Sequence, residues 1–210
     1  MSEQARHAHE PIETADADLE YLRKNLIALQ RVLQAKGVLT YAEVLKEIHT
    51  LDEVDHASGQ RVVARAWADP KYKERLMRDG KAALLELGIE PGGYRELQVV
   101  ENTDKVHHVV VCTTCSCIPS PLTGITPDWY KSAAYRTRVT QEPRAVLREF
   151  GVELPDDVEV KVVDTDVSRR CLVLPKKPAG ADGLTEEQLA QLVTRDSLFG
   201  TGIPAGPVGA

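Results

Sequence analysis

The chain has 210 residues, with 26 Lys and Arg against 32 Asp and Glu, a formal net charge of −6, and 42% hydrophobic and 28% charged residues. That length suits one domain or two. The mild acidity argues against nonspecific nucleic-acid binding, which needs a basic footprint, and the mixture argues against a wholly disordered chain. No run of about 18 apolar residues is available to span a membrane. The polar opening, MSEQARHAHEPIETADADLE, lacks the apolar segment of a secretory signal, so the cytoplasm is the expected compartment.

The first fifteen residues, with His7 and His9, read as a solvated tail. Residues 16–36 read as a helix started by Asp16 or Asp18 and ended by Gly37. Leu19, Leu22, Leu26, Leu29 and Leu33 form one narrow stripe along it, suited either to the protein's own core or to a partner chain. Thr40 and Glu43 form a capping box for a second helix, with Val44, Leu45 and Ile48 as its buried side. Residues 51–59 read as a loop, and Ser58 as the cap of a helix over 59–68 carrying Val62, Val63 and Ala66. Asp69-Pro70 restarts the helix, with Tyr72 and Leu76 inside, a break near Asp79-Gly80 and an end at Gly88.

After the PGGY turn the pattern changes. Leu97, Val99 and Val100 suggest a strand, ENTDK a turn, and VHHVVV a second strand. His107 and His108 fall on opposite faces of it and read as core or interface histidines. IPSPLTGITP is a proline-rich loop. Short helices follow at Thr126-Pro127, with Trp129 and Tyr130, and at Pro143, with Val146, Leu147 and Phe150, closed by Gly151. Residues 158–164 and 171–175 read as strands, and Thr185 with Gln188 caps a last helix reaching about Leu198. The fold class is α+β: a flexible tail and helical N-terminal arm over 1–58, then a mixed layered α/β domain over 59–210.

Chemistry concentrates in Val111-Cys112-Thr113-Thr114-Cys115-Ser116-Cys117. Structural zinc wants four ligands, usually in two spaced pairs; here three thiols crowd one turn, and Cys171 stands far off without a neighbour. A thioredoxin-like C-x-x-C opens a helix, which Cys117, Pro119 and Pro121 disfavour. The spacing suits a claw. The sulfurs of Cys115 and Cys117 and the backbone nitrogens of Ser116 and Cys117 could bind one metal in a plane, Cys112 could then take an axial position, and the opposite position would stay open. Backbone amides ionise only against a strongly polarising ion, which favours a trivalent metal acting as a Lewis acid. Cys171, in an apolar run, reads as a buried, unoxidised thiol.

The claw closely resembles the V-C-T-L-C-S-C motif of the nitrile hydratase alpha subunit. VVARAWADPKYKERLMRDG, VENTDKVHHVVV, PDWYKSAAYRTRV, EPRAVLREFG, RCLVLPKKPAGADG and LVTRDSLFG resemble its segments in the same order, over about residues 60–200. The thiocyanate hydrolase gamma subunit shares the superfamily and the claw. The resemblance implies that Cys112, Cys115 and Cys117 are thiolate ligands, and that Ser116 and Cys117 donate backbone nitrogens. It further implies oxidation of Cys115 to a sulfinic and Cys117 to a sulfenic acid. Thr113, where iron-type members have Ser, implies cobalt(III) in preference to iron(III), one per chain.

The implied reaction is hydration of a small-molecule nitrile to its amide, with Cys115, Ser116 and Cys117 at the reacting centre and the Cys117 sulfenate as nucleophile or base. The implied partners are a beta-type subunit, single or split into two chains, and an activator or metallochaperone for maturation. Nucleic acid and membrane are not among them. Rival readings are a thiocyanate hydrolase gamma-type subunit and a noncatalytic metal-binding assembly subunit.

Four departures bear on specificity. Thr114 stands in place of Leu; Ile118-Pro119-Ser120-Pro121 replaces Tyr-Pro-Trp-Pro; Gly93 replaces a Gln; and Ser120 is neither the Trp of nitrile hydratases nor the basic residue of thiocyanate hydrolase. The thinner wall points to a bulky heteroaromatic nitrile such as toyocamycin. Asp128, Lys131, Arg136 and Arg144 are expected in structural ion pairs or interface contacts.

Overall fold

The computed structural model describes residues 16–52 and 55–207. The chain divides into two compact units, 1–54 and 55–210. His7 and His9 lie outside the described residues.

The first unit holds α1 (Asp16–Ala35) and α2 (Tyr41–Asp52). Gly37 ends α1 in the left-handed region at φ 66°; its N–H donates to the Gln34 carbonyl and the N–H of Val38 to the Leu33 carbonyl, the Schellman type of helix stop. The capping box at Thr40 forms in both directions: Thr40 N–H donates to Glu43 Oε2 at 2.6 Å and Glu43 N–H donates to Thr40 Oγ1 at 3.2 Å. Leu22, Leu26 and Leu29 are exposed, and Leu33 is half-buried. Val44 and Leu45 are half-buried in α2, but Ile48, expected on the buried side, is exposed.

The second unit opens with α3 (Ala57–Ala68), α4 (Pro70–Arg78) and α5 (Gly80–Glu86). Ser58 does not cap α3; Asp55 accepts the Ala57 N–H at 2.8 Å and the helix starts ahead of Ser58. Asp69 caps α4 as its Asp-Pro sequence requires, accepting from the N–H groups of Lys71 and Tyr72.

The strands are β1 (Glu96–Glu101), β2 (Val106–Val111), β3 (Glu159–Asp164) and β4 (Arg169–Leu174). Although β1 and β2 are consecutive, they do not form a ladder together. β1 pairs in parallel with β4, and β2 in parallel with β3. Between β2 and β3 lie α6 (Ser120–Thr123), α7 (Asp128–Lys131), α8 (Ala133–Gln141) and α9 (Pro143–Glu149). Thus the proline-rich loop contains one helical turn, and α8, which has no strong apolar period, is an addition to the expected elements. Its cap is Ser132, which accepts the Tyr135 N–H at 3.0 Å, and it buries Tyr135 and Val139. The last helix, α10 (Glu186–Leu192), has its Thr185–Gln188 capping box but stops short of Leu198, which lies in a separate 3-10 turn over Asp196–Leu198.

β4 divides the core. Leu172 and Leu174 pack with α3, α4, α5 and β1, whereas Cys171 and Val173 pack with β2 and the aromatic side chains of α7 and α8. This is the two-residue period of a strand covered on both faces, at roughly 1.5–3 kcal/mol for each large aliphatic side chain removed from water. The fold also brings main chains together closely. Gly200, at φ 79°, lies against the His108 carbonyl so tightly that a Cβ there would overlap it.

A candidate metal centre at the end of two parallel strands

β2 and β3 finish side by side, Val111 opposite Asp164. The claw begins at the next residue, on a strand end held by ladder hydrogen bonds. Two contacts tie the turn down. Asp164 accepts the Thr113 N–H at 3.0 Å and the Thr113 hydroxyl at 2.6 Å, and the Thr165 N–H donates to the Val111 carbonyl.

The turn gathers the thiols. Cys112 Sγ lies 3.1 Å from Cys115 Sγ, which lies 2.8 Å from Cys117 Sγ, and all three sulfurs fall within 4.8 Å of one another. All are free thiols; Cys112 and Cys117 are buried and Cys115 is half-exposed. Cys115 N–H donates to Cys112 Sγ at 3.3 Å. Hydrogen bonds from Cys117 and Cys112 lower the Cys115 thiol to about 7. Burial, and then its hydrogen bond to Cys115, push Cys117 up to about 12. The hydrogen bond between them thus favours charge on one of the two sulfurs rather than on both.

Such a donor set fits a transition metal. Three soft sulfurs converge, fewer than the four ligands of a structural zinc site. The neighbouring histidines are not part of it. His107 is buried, with Nε2 2.7 Å from the Gly200 carbonyl and Nδ1 3.2 Å from Asn102 Nδ2, and Asn102 Oδ1 accepts the His108 N–H. Among the described residues the three cysteines form the one cluster of its kind able to hold a metal. Ser116, half-exposed, lies between the two closest sulfurs.

Several supports lay outside the sequence reading. Tyr130 donates its hydroxyl to the Cys117 carbonyl at 3.3 Å, and Tyr135 donates to the Val110 carbonyl at 2.7 Å. Both rings pack around Trp129 with Phe199. Arg170 donates from Nε to the Ile118 carbonyl at 3.1 Å and stacks over Tyr94. Its charge favours the Cys117 thiolate. No local motif marks Asp164, Tyr130 or Arg170, because all three reach the claw from distant parts of the chain.

Among the four charged residues expected to be structural, Lys131 pairs with Asp128 at 3.2 Å, and Arg136 donates to the Ser132 carbonyl. Arg144 binds the carbonyls of Leu154, Pro155, Asp156 and Val158. Cys171 is 2% exposed and pushed up to about 12 by burial. Ile118, expected at the pocket rim, is 8% exposed and packs into the core with Cys112 and Cys117. Ser120 is exposed at the start of α6.

The chain matches the family described as nitrile hydratase, alpha chain, over residues 20–202. It is 48% identical over 176 residues to the cobalt-containing nitrile hydratase subunit alpha of Pseudonocardia thermophila, covering 82% of this chain and 86% of that one. It is 39% identical over 202 residues to the thiocyanate hydrolase subunit gamma of Thiobacillus thioparus, covering 90% and 81%. Its fold superposes on a double mutant of the Fe-type nitrile hydratase of Comamonas testosteroni with a TM-score of 0.84 at 35% identity, covering 91% of this chain and 94% of that one. With this match across nearly the whole sequence, and with three free thiols gathered where β2 and β3 end, the chain belongs to the nitrile hydratase alpha chain family.

Proposed function

We propose that this chain is the catalytic alpha subunit of an enzyme that hydrates a nitrile to the corresponding amide. The observation that carries the reading is the convergence of Cys112, Cys115 and Cys117 on one point at a rigid strand end. Cobalt(III) is the proposed ion, supported by the cobalt-containing relative and by Thr113. The three sulfurs and the main-chain nitrogens of Ser116 and Cys117 would hold it. When bound, it supplies Lewis acidity toward the nitrile.

This chain's own residues do the rest. Asp164 holds the turn through Thr113, Tyr130 and Arg170 fix the carbonyls of Cys117 and Ile118, and the Cys112 sulfur is fully buried. Cys115 as sulfinic and Cys117 as sulfenic acid, oxidised during maturation, would complete the proposed centre, with the Cys117 sulfenate oxygen as nucleophile toward the nitrile carbon or as base toward the water that attacks it. Residues 59–210 form the proposed catalytic domain and 1–58 an arm for a beta-type subunit, single or split, with an activator assisting maturation in the cytoplasm.

The test is co-expression with the partner in cobalt medium, followed by amide-release assays on a nitrile panel with thiocyanate as control. Amide release tied to bound cobalt supports the reading. A loaded, oxidised centre that leaves every nitrile untouched overturns it.

A further inference from the structure

Two threonines separate Cys112 from Cys115, and the fold uses them differently. Thr113 is committed to Asp164 through both its N–H and its hydroxyl. Thr114, on the exposed side of the turn, places Oγ1 3.7 Å from Cys112 Sγ, within hydrogen-bonding reach of sulfur. Cys112 is otherwise fully buried and receives the Cys115 N–H. The leucine typical of the family at this position offers no donor. A thiolate has lone pairs and no proton, so beside a Cys112 thiolate the Thr114 hydroxyl is necessarily the donor. Hydrogen bonds to a ligand sulfur withdraw charge from it and retune the metal it binds.

Resting on the metal-centre reading above, we propose that Thr114 is a positioning residue that donates a hydrogen bond to the Cys112 thiolate and lowers the charge this sulfur passes to the metal. A less donating sulfur absorbs at higher energy in sulfur-to-metal charge transfer. Removing the donor therefore shifts that absorption to longer wavelength without removing a ligand.

The experiment compares wild type, Thr114→Val and Thr114→Ser, each as the cobalt-loaded complex with its partner, by absorption spectrum and cobalt content. Valine keeps the shape and loses the donor; serine keeps the donor. The expected result is equal cobalt in all three, a band at longer wavelength in Thr114→Val, and a wild-type band in Thr114→Ser. If Thr114→Val does not load, Thr114→Leu replaces it with the same expectation, since leucine is the family's usual residue there. A Val or Leu band that coincides with wild type, or a Ser band displaced as far as theirs, overturns the proposal alone. Wild-type protein that binds no cobalt overturns the metal-centre reading and the proposal with it.

Discussion

The carboxylate of Asp164, the last residue of β3, receives both the main-chain N–H and the hydroxyl of Thr113, the first residue after Cys112. One side chain thereby joins the ends of two parallel strands to the turn that gathers the thiols. Asp164→Ala frees both Thr113 groups and loosens the claw without touching a sulfur. Residues that orient metal ligands typically contribute about 10–100-fold in affinity or activity. Asp164 and Thr113 are exposed, so the lower end of that range is expected. Cobalt retention against a chelator, with Asp164→Asn as the conservative control, measures it; unchanged retention in Asp164→Ala would show that the ladder alone holds the turn.

The four cysteines separate into two groups. Replacing Cys112, Cys115 or Cys117 by Ala removes one of the three converging sulfurs, and each is expected to abolish cobalt retention and nitrile hydration together. Cys171 faces the core on β4. Cys171→Ala leaves a small void at a cost of about 1 kcal/mol, comparable to trimming a buried methyl group, and retains cobalt. Metal analysis with thermal unfolding separates the two classes. Near-normal turnover in Cys115→Ala would defeat the claw assignment.

His107 makes stability depend on pH. Burial lowers its pKa, against the opposing hydrogen bond with the Gly200 carbonyl. As the neutral tautomer it donates from Nε2 to Gly200 and accepts at Nδ1 from the Asn102 amide; a second ring proton would face that donor. The folded pKa lies below the unfolded value of about 6.5, so the unfolded state binds more protons as pH falls. The contribution is complete above about 6.5 and is lost below it, toward the folded pKa. His108 adds in the same direction, through burial and then the Lys161 charge. Wild-type Tm is therefore expected to fall between pH 7.5 and 5.5, and to fall less in His107→Gln. Parallel curves for the two proteins would remove His107 as the cause.

The arm carries a different expectation. Leu22, Leu26 and Leu29 are all more than half exposed on α1, and such a run of apolar surface is characteristic of association. Deleting residues 1–36 should weaken the complex with the partner on gel filtration while leaving the fold of 55–210 intact. Aggregation of the truncated chain alone would assign the stripe to the protein's own core.

What was legible in the sequence was local. The boxes at Thr40 and Thr185 and the helix restart at Asp69-Pro70 depend on residues at most three apart, and each formed. The claw was legible because its donors share one turn. The parallel pairing of β1 with β4 was not, since about 70 residues intervene and no turn fixes the register. Nor was the role of Asp164, whose carboxylate meets Thr113 only after β2 and β3 align. Ile118 shows the reverse limit: its position beside the claw suggested a pocket wall, whereas the turn directs it into the core with Tyr130.

That burial narrows the substrate-size argument to Ser120. Ile118 faces inward, so replacing the family's usual Tyr by Ile does not by itself widen an outer pocket. Ser120, exposed at the first residue of α6, is where typical relatives carry Trp, and an aromatic side chain covers roughly 150–250 Å². A side chain of that size missing from the rim is the basis for expecting room for a ring of the substrate. If the centre hydrates nitriles as proposed, the Trp-to-Ser exchange leads us to expect a preference for a bicyclic aromatic nitrile, of which toyocamycin is one, over acrylonitrile. One methylene in an apolar pocket changes kcat/KM by about 10–200-fold, so Ser120→Trp is expected to lower the value for the large nitrile by at least about 10-fold and leave acrylonitrile within about 3-fold. Cobalt content and Tm should not move, since Ser120 makes no contact with the thiols among those described. Equal losses for the two substrates, or a wild-type preference for acrylonitrile, would place the size-determining wall on the partner subunit instead.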